Sequence, residues 1–172
     1  IHGAEALCRW IRDGKLVPPI EFIPVLEQTT DICLLDFYML DLVCQHLKRW
    51  LDERREIVRV SVNLSRKHLS DMDLLEHILE IIDRNREPHE YIEVELTETT
   101  TDVEFRDLRR VVIGLQEAGV HVSVHDFGMG YSSLNLIREL PLDVLKIDKC
   151  FVPTDEETDD GITSKMFRHV VN

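Results

Sequence analysis

Polar and ionisable side chains recur on one face of four short segments that alternate between apolar and polar residues. These positions are Ser61 and Asn63, then Glu93, Glu95 and Thr97, then His121, Ser123 and His125, and finally Lys146 and Asp148. Carboxylates and an asparagine carbonyl are oxygen ligands that Mg²⁺ and Mn²⁺ prefer. Paired cations of this kind can clamp a phosphodiester and activate a water, and a nearby lysine can hold that water. If the fold brings these side chains together, they predict a metal-dependent reaction of water with a phosphodiester.

The four segments are typical of strands, because they are short, bounded and rich in β-branched or apolar residues at alternate positions. They cover residues 57–63, 91–97, 120–126 and 142–148. Helical patterns lie between or before them, over residues 31–53, 74–84 and 103–118, with Gly119 in the position of a helix C-cap. Strands separated by helices indicate βαβ units and a parallel sheet.

The polar face of these strands decides between two kinds of parallel sheet. In a doubly wound sheet, helices cover both faces, and the strands are apolar on both sides. A closed barrel has helices outside and a polar mouth at the carboxyl ends of the strands, where barrel enzymes keep their chemistry. The sequence therefore predicts an α/β fold, a (β/α) barrel with an active-site or ligand mouth.

Composition excludes several classes of protein. The 172 residues carry 20 Lys and Arg against 33 Asp and Glu, a net charge of −13, which argues against a DNA- or RNA-binding protein. No apolar run is long enough to form a transmembrane segment, and no signal peptide is visible. The four cysteines are far apart and are expected to be small core residues in a reducing compartment. We expect a cytoplasmic domain, which leaves open that its parent protein is membrane-tethered.

Five motifs, in order along the chain, resemble those of EAL domains, which are bacterial cyclic-di-GMP phosphodiesterases. The motifs are GAEALCRW at 3–10, NLS at 63–65, ELTE at 95–98, DFGMGYSSL at 126–134 and KID at 146–148. The resemblance runs from Gly3 to Val152. It implies a TIM-like (β/α)8 barrel that uses Mg²⁺ or Mn²⁺ to hydrolyse cyclic-di-GMP to linear pGpG.

The resemblance also implies roles for the residues at matching positions. The implied metal ligands are Glu5, Asn63, Glu95, Asp126 and, at a position where the family has aspartate, His125. Lys146 would orient the attacking water, and Lys146 and Glu5 are the implied catalytic residues. Leu7 and Arg9 would contact the dinucleotide, with the forked guanidinium suited to a phosphate. Glu98 would hold the 126–134 loop, which the family links to a dimer interface.

The partners implied by the resemblance are cyclic-di-GMP, a second copy of the chain in a homodimer, and sensor or cyclase domains fused to this one. The sequence itself identifies none of the fused domains. It predicts one EAL-type domain over residues 1–172, truncated at both ends, with about five of the eight strands. An excerpt of a longer domain is the favoured interpretation, and a fragment completed by a partner is the other.

His125 separates the possible functions. A carboxylate can bridge two metals through its two oxygens, whereas a neutral imidazole offers one lone pair. The leading interpretation is an active phosphodiesterase, because Glu5, Asn63, Glu95, Asp126 and Lys146 are all present. The alternatives are a degenerate barrel that binds cyclic-di-GMP as a receptor and, least favoured, a dimerisation element without a ligand.

Three expectations concern packing rather than chemistry. The helix at 31–53 is expected to bury one apolar stripe, made of Leu34, Leu35, Tyr38, Leu42 and Leu47. Trp10 and Trp50 are expected in the core. His68 is expected at the surface or in a cap, and His121 is expected to be a satisfied interior residue rather than a metal ligand.

Overall fold

The computed structural model describes residues 3–86, 89–97, 102–127 and 140–147 of the chain. Its main sheet has five parallel strands: β1 (Gly3–Ala6), β4 (Arg59–Leu64), β5 (Ile92–Thr97), β6 (His121–Phe127) and β7 (Val144–Ile147). These strands are adjacent in the order β1-β4-β5-β6-β7. The described part is therefore a partial barrel sheet, which confirms the α/β, parallel-strand prediction.

Helices form the layer outside this sheet. They are α1 (Pro19–Leu26), α2 (Asp31–Asp52), α3 (Leu74–Asn85) and α4 (Asp102–Glu117), with two 3₁₀ helices at Arg66–Ser70 and His89–Tyr91. The core lies between the sheet and helices α2, α3 and α4. Gly119 follows α4 with a φ of +86°, the left-handed conformation that the C-cap prediction requires.

Alternation along the strands divides the two faces of the sheet as predicted. Val62, Val94 and Val122 are buried on the face toward the helices. The opposite face carries Ser61, Glu93, Glu95 and Ser123, which are also buried. Strand register places Asn63 beside Glu95 and Glu93 beside His121, so the polar positions of neighbouring strands are adjacent. The face of the sheet that points away from the helices is therefore polar, while its helix-facing side is hydrophobic.

Helix α2 buries a different face from the one expected. Its buried residues are Ile32, Asp36, Leu40, Val43, Cys44 and Leu47. Leu34 and Tyr38 are 71% and 59% exposed, so the predicted stripe was wrong at both positions. The buried face includes the polar residue Asp36, which accepts a hydrogen bond from the Ser65 N–H and lies 3.2 Å from His68, so hydrophobicity alone does not define that face. Trp10 was also expected in the core and is 42% exposed, although its ring packs edge-on against Phe22.

A β-hairpin between β1 and α1 was not predicted. Strands β2 (Trp10–Arg12) and β3 (Lys15–Val17) pair in an antiparallel fashion around Asp13 and Gly14, both with positive φ. The Asp-Gly dipeptide is a recognised hairpin-turn signal and could have indicated this element. Among the described residues, none of the helices combines the length and the hydropathy needed to cross a bilayer.

The segment that enters β7 is held by Asp143. Its carboxylate accepts hydrogen bonds from the Val122 backbone N–H at 2.9 Å and from the Gln116 amide at 3.0 Å, and lies 3.4 Å from His121. His121 thus has a partner in the structure. Partial burial raises the pKa of Asp143, but these donors outweigh it and hold the pKa below its ordinary value of 3.8. Asp143 therefore fixes the start of the strand that carries Lys146.

Replacing Asp143 with alanine should lower the free energy of unfolding by about 1–3 kcal/mol at pH 7, because the Val122 N–H and the Gln116 amide lose their acceptor. Since the folded pKa is depressed, the part of the difference that depends on ionisation should be complete above the ordinary carboxyl value and should be lost as pH falls through the folded one. Urea unfolding as a function of pH measures this. Asp52→Ala, at an exposed position, is the control, and an equal loss in both variants would contradict the assignment.

Candidate active site at the carboxyl ends of the strands

Glu5 and Asn63 meet at the open edge of the site. Glu5 lies in β1 and Asn63 in the neighbouring strand β4, and the Asn63 Nδ2 donates a hydrogen bond to Glu5 Oε1 at 2.8 Å. Both residues are exposed. The hydrogen bond uses the amide N–H₂, which leaves the Asn63 carbonyl oxygen and the second Glu5 oxygen outside it. The structure therefore brings together two residues that the sequence separates by 58 positions.

Glu95 and Lys146 form the buried end of the site. Glu95 in β5 has no exposed surface, and the Lys146 Nζ from β7 donates a hydrogen bond to its carboxylate. The same ammonium donates to Ser61 Oγ at 3.0 Å. An ammonium carries three N–H groups, so these two bonds leave one for a further partner.

Glu93 adds a second buried carboxylate on the same face of β5. Its oxygens accept a hydrogen bond from Ser123 Oγ at 2.7 Å and lie 3.4 Å from the Arg59 guanidinium. Lys146 Nζ is also 3.4 Å from Glu93. One lysine and one arginine therefore offset the charge of two carboxylates held inside the sheet, where an unpaired charge would be costly.

Two cavities adjoin the Glu5–Asn63 pair. The inner cavity, of about 380 Å³, is lined by Glu5, Arg59, Ser61, Glu93 and Lys146 among others. The apolar cavity, of about 270 Å³, is lined by Leu7, Arg9 and Asn63 together with hydrophobic residues of α1 and α2. The predicted catalytic residues Glu5 and Lys146 thus line the inner cavity. The residues predicted to contact the dinucleotide, Leu7 and Arg9, line the apolar cavity.

Asp36 is a residue of the apolar cavity that the sequence did not reveal. It lines the apolar cavity and is nearly buried, and its Oδ2 accepts a hydrogen bond from the Ser65 backbone N–H at 2.7 Å. The same oxygen lies 3.2 Å from the Nε2 of His68. His68 is 2% exposed, so its expected surface position was wrong. The signal available in the sequence for Asp36 was its position as an aspartate within an otherwise apolar stretch of helix α2.

Cys8 lines the apolar cavity between Leu7 and Arg9. Burial raises the pKa of the Cys8 thiol above its ordinary value, and the Asp36 charge acts in the same direction against an opposing effect of Arg9. The thiol is therefore protonated at neutral pH. It is neither a nucleophile nor a metal ligand in this state.

Three of the predicted residues are described only partly or not at all. His125 and Asp126 lie in β6, with the backbone of His125 in register with Thr97 of β5, but their side chains are outside the described part. Glu98 and most of the 126–134 loop also lie outside the described residues. Their proposed roles stay predictions.

The described donors suit a hard divalent cation. Glu5, Asn63 and Glu95 offer carboxylate and carboxamide oxygens from three consecutive strands of the sheet. Within the described ranges, no group of three or more His, Cys, Asp or Glu residues is arranged to hold a metal. The carboxamide oxygen of Asn63 is a ligand type that such a group does not include, and the side chains of His125 and Asp126 in β6 lie outside the described part.

The model of the EAL domain family matches residues 1–172. The chain belongs to the EAL domain family. The family resemblance drawn from the five motifs is thereby confirmed.

Curated relatives of this EAL domain include one named as a signaling protein and two named as cyclic di-GMP phosphodiesterases. The signaling protein YkoW of Bacillus subtilis is 36% identical over 151 residues, 87% of this chain and 19% of YkoW. The bifunctional diguanylate cyclase/cyclic di-GMP phosphodiesterase MucR of Pseudomonas aeruginosa is 32% identical over 154 residues, 87% of this chain and 22% of MucR. The cyclic di-GMP phosphodiesterase NbdA of the same organism is 33% identical over 153 residues, 88% and 20% of the two chains. The chain spans about a fifth of the length of these relatives.

Solved EAL domains share the fold of this one. A structure of the PaMucR phosphodiesterase in complex with c-di-GMP superposes with a TM-score of 0.81 at 30% identity, covering 98% of this chain and 71% of that one. The FimX EAL domain from Pseudomonas aeruginosa bound to c-di-GMP superposes with a TM-score of 0.83 at 20% identity, covering 99% and 67%. At that lower identity the likeness shows the fold alone. The TIM-barrel-like class of this EAL domain is confirmed.

Replacing Lys146 with methionine should destabilise this EAL domain by about 3 kcal/mol, because the buried Glu95 carboxylate loses its cation. Adding Glu95→Gln should recover part of that loss, since the buried charge is then gone, and the double-mutant cycle would report the coupling. Urea unfolding at pH 7 is the measurement. Lys48→Met, at an exposed position of α2, is the matched control. Additive effects of the two site substitutions would contradict the pairing.

Proposed function

We propose that this EAL domain hydrolyses cyclic-di-GMP to linear pGpG with the help of a divalent cation, Mg²⁺ or Mn²⁺. The observation that carries the proposal is the convergence of Glu5, Asn63, Glu95 and Lys146, from four strands, on one end of the sheet. It is supported by relatives named as cyclic di-GMP phosphodiesterases and by the c-di-GMP complex of a relative with 30% identity.

Glu5, Asn63 and Glu95 would hold the cation, with Asp126 and His125 as the further expected ligands. A cation bound there supplies charge neutralisation for the phosphodiester and lowers the pKa of water. EAL domains are generally dependent on divalent metals, and which metal this one prefers is part of the proposal. The Glu5–Asn63 hydrogen bond pre-positions two of these side chains, which lowers the entropic cost of assembling the site.

Lys146 is the proposed water-orienting residue. Its bonds to Glu95 and Ser61 fix the ammonium, and its third N–H, for which the Glu93 carboxylate at 3.4 Å competes, would donate to a water oxygen or to a phosphate oxygen that gains charge. In hydrolysis the water oxygen bonds to phosphorus, one ester bond to ribose O3′ breaks, and a proton passes from the water side to the leaving oxygen. Linear pGpG with a 5′-phosphate results.

The apolar cavity is the proposed site for one guanine and its phosphate. Its volume of about 270 Å³ is below the roughly 300–1,000 Å³ typical of pockets for whole drug-sized ligands, so it suits one base rather than the dinucleotide. Leu7 offers an apolar surface to the base. The Arg9 guanidinium makes one contact in the described structure, to the Cys8 carbonyl, which leaves most of its donors for a phosphate.

The second candidate is a receptor that binds cyclic-di-GMP without hydrolysing it. The specific observation in its favour is His125, an imidazole where the family has a metal-bridging aspartate. In that case the apolar cavity would retain its ligand while turnover is slow or absent. For this EAL domain we also propose homodimerisation, fusion to sensor or cyclase domains and a cytoplasmic location.

Replacing Glu5 with glutamine should reduce hydrolysis by about 100-fold or more, because even residues that only support metal ligands cost about 10–100-fold. Chromatography of cyclic-di-GMP and pGpG after incubation with Mg²⁺ or Mn²⁺ measures the rate. Glu76→Gln on the exposed surface of α3 has the same change in charge and should leave the rate unaltered. Equal rates in the unaltered protein and in both variants would show that Glu5 is not part of the active site.

Restoring the family's carboxylate with His125→Asp should raise either turnover or metal occupancy, because a carboxylate can bridge two cations. The same chromatographic assay and a metal titration provide the two readouts. Turnover by the unaltered protein supports the phosphodiesterase, whereas turnover only after the substitution supports the receptor. No change in either quantity would show that His125 does not limit the site.

A further inference from the structure

Two adjacent cations lie at the edge of the mouth. Arg66 and Lys67 begin the 3₁₀ helix that follows β4, and both side chains are exposed. In the part of the chain that the structure describes, neither has a carboxylate within 4.0 Å, unlike Arg55, Arg59, Arg84 and Lys146. They form a positive site, without an ion pair among the described residues, on a chain whose net charge is −13.

These cations line a cavity of about 330 Å³, named here the rim cavity, together with Pro24, Glu27, Gln28 and Ser65. The Ser65 hydroxyl accepts a hydrogen bond from the Lys67 backbone N–H at 3.3 Å, so its own proton remains for another acceptor. Glu27 is the carboxylate in this lining, and it forms no ion pair with either cation in the described structure. The rim cavity thus offers several donors and a net positive charge.

The rim cavity adjoins the apolar cavity. Glu27 and Ser65 line both. Asn63, at the metal-binding end, precedes Arg66 by three residues, so their Cα atoms are at most about 11 Å apart. A nucleotide seated beside Leu7 and Arg9 can therefore extend an anionic group to Arg66 and Lys67 without leaving the mouth.

We propose that Arg66 and Lys67 form an anion-binding subsite for a phosphate group of the guanine dinucleotide, separate from the phosphate contact of Arg9. This inference rests on the proposed function, since it assumes that a guanine dinucleotide occupies the apolar cavity. A strongly acidic protein repels an anionic ligand at long range, and local cations at the entrance offset that repulsion and accelerate encounter. The subsite therefore contributes to affinity and to capture of the nucleotide.

The test is the double variant Arg66→Gln/Lys67→Gln, titrated calorimetrically with cyclic-di-GMP and, separately, with pGpG. Ca²⁺ serves as the hard divalent cation, and chromatography confirms that each nucleotide is intact at the end. Arg109→Gln/Arg110→Gln, on the exposed face of α4, changes the net charge equally away from the mouth and is the matched control. All proteins are compared at two salt concentrations.

The expected result is a Kd about five- to tenfold higher for at least one nucleotide in the Arg66/Lys67 variant, with a weaker salt dependence than in the unaltered protein. The control should bind within about twofold of the unaltered protein. The ligand that loses more affinity identifies whether a diester or the terminal phosphate occupies the subsite. Equal affinities of the two double variants for both nucleotides would overturn the subsite, whereas failure of the unaltered protein to bind either nucleotide would overturn the proposed function itself.

Discussion

Two carboxylates on the same face of one strand are the constraint on which the rest of the site depends. Glu93 and Glu95 are both buried in the interior of the sheet, where isolated charges are expensive. Each therefore needs a cation from another strand, and Arg59 and Lys146 supply them from β4 and β7. The polar interior thereby ties strands to one another by charge, in addition to the hydrophobic packing on the helix-facing side.

This arrangement links stability to function through Lys146. The ammonium neutralises Glu95 in the folded domain, and it is the proposed donor to water or phosphate when substrate is present. A divalent cation bound at Glu95 would neutralise part of the carboxylate charge, which would weaken the ion pair between Glu95 and Lys146. Asp143 supports the same residue from a distance, because it anchors the entry into β7 through Val122 and Gln116.

The alternation of residue types predicts the sheet and most of the site, because strand period places every second side chain on one face. That period alone is enough to group Asn63, Glu95 and Lys146 on the polar face of the sheet. It could not place Asp36 or His68, because the buried Asp36 carboxylate accepts from the Ser65 backbone N–H and contacts the His68 ring, and no local pattern encodes these contacts. The exposed Leu34 and Tyr38 show the same limit, since a wide apolar pattern does not decide which side of a helix meets the core.

The central claim is that the mouth of this EAL domain binds a divalent cation and cyclic-di-GMP together. A crystal structure of the protein grown with Mn²⁺ and cyclic-di-GMP, with anomalous scattering to locate the metal, tests it most directly. We expect Mn²⁺ bound by oxygens of Glu5, Asn63 and Glu95, with a base beside Leu7 and a phosphate between Arg9 and the metal. A nucleotide bound elsewhere, or bound with no metal on these three side chains, would contradict it.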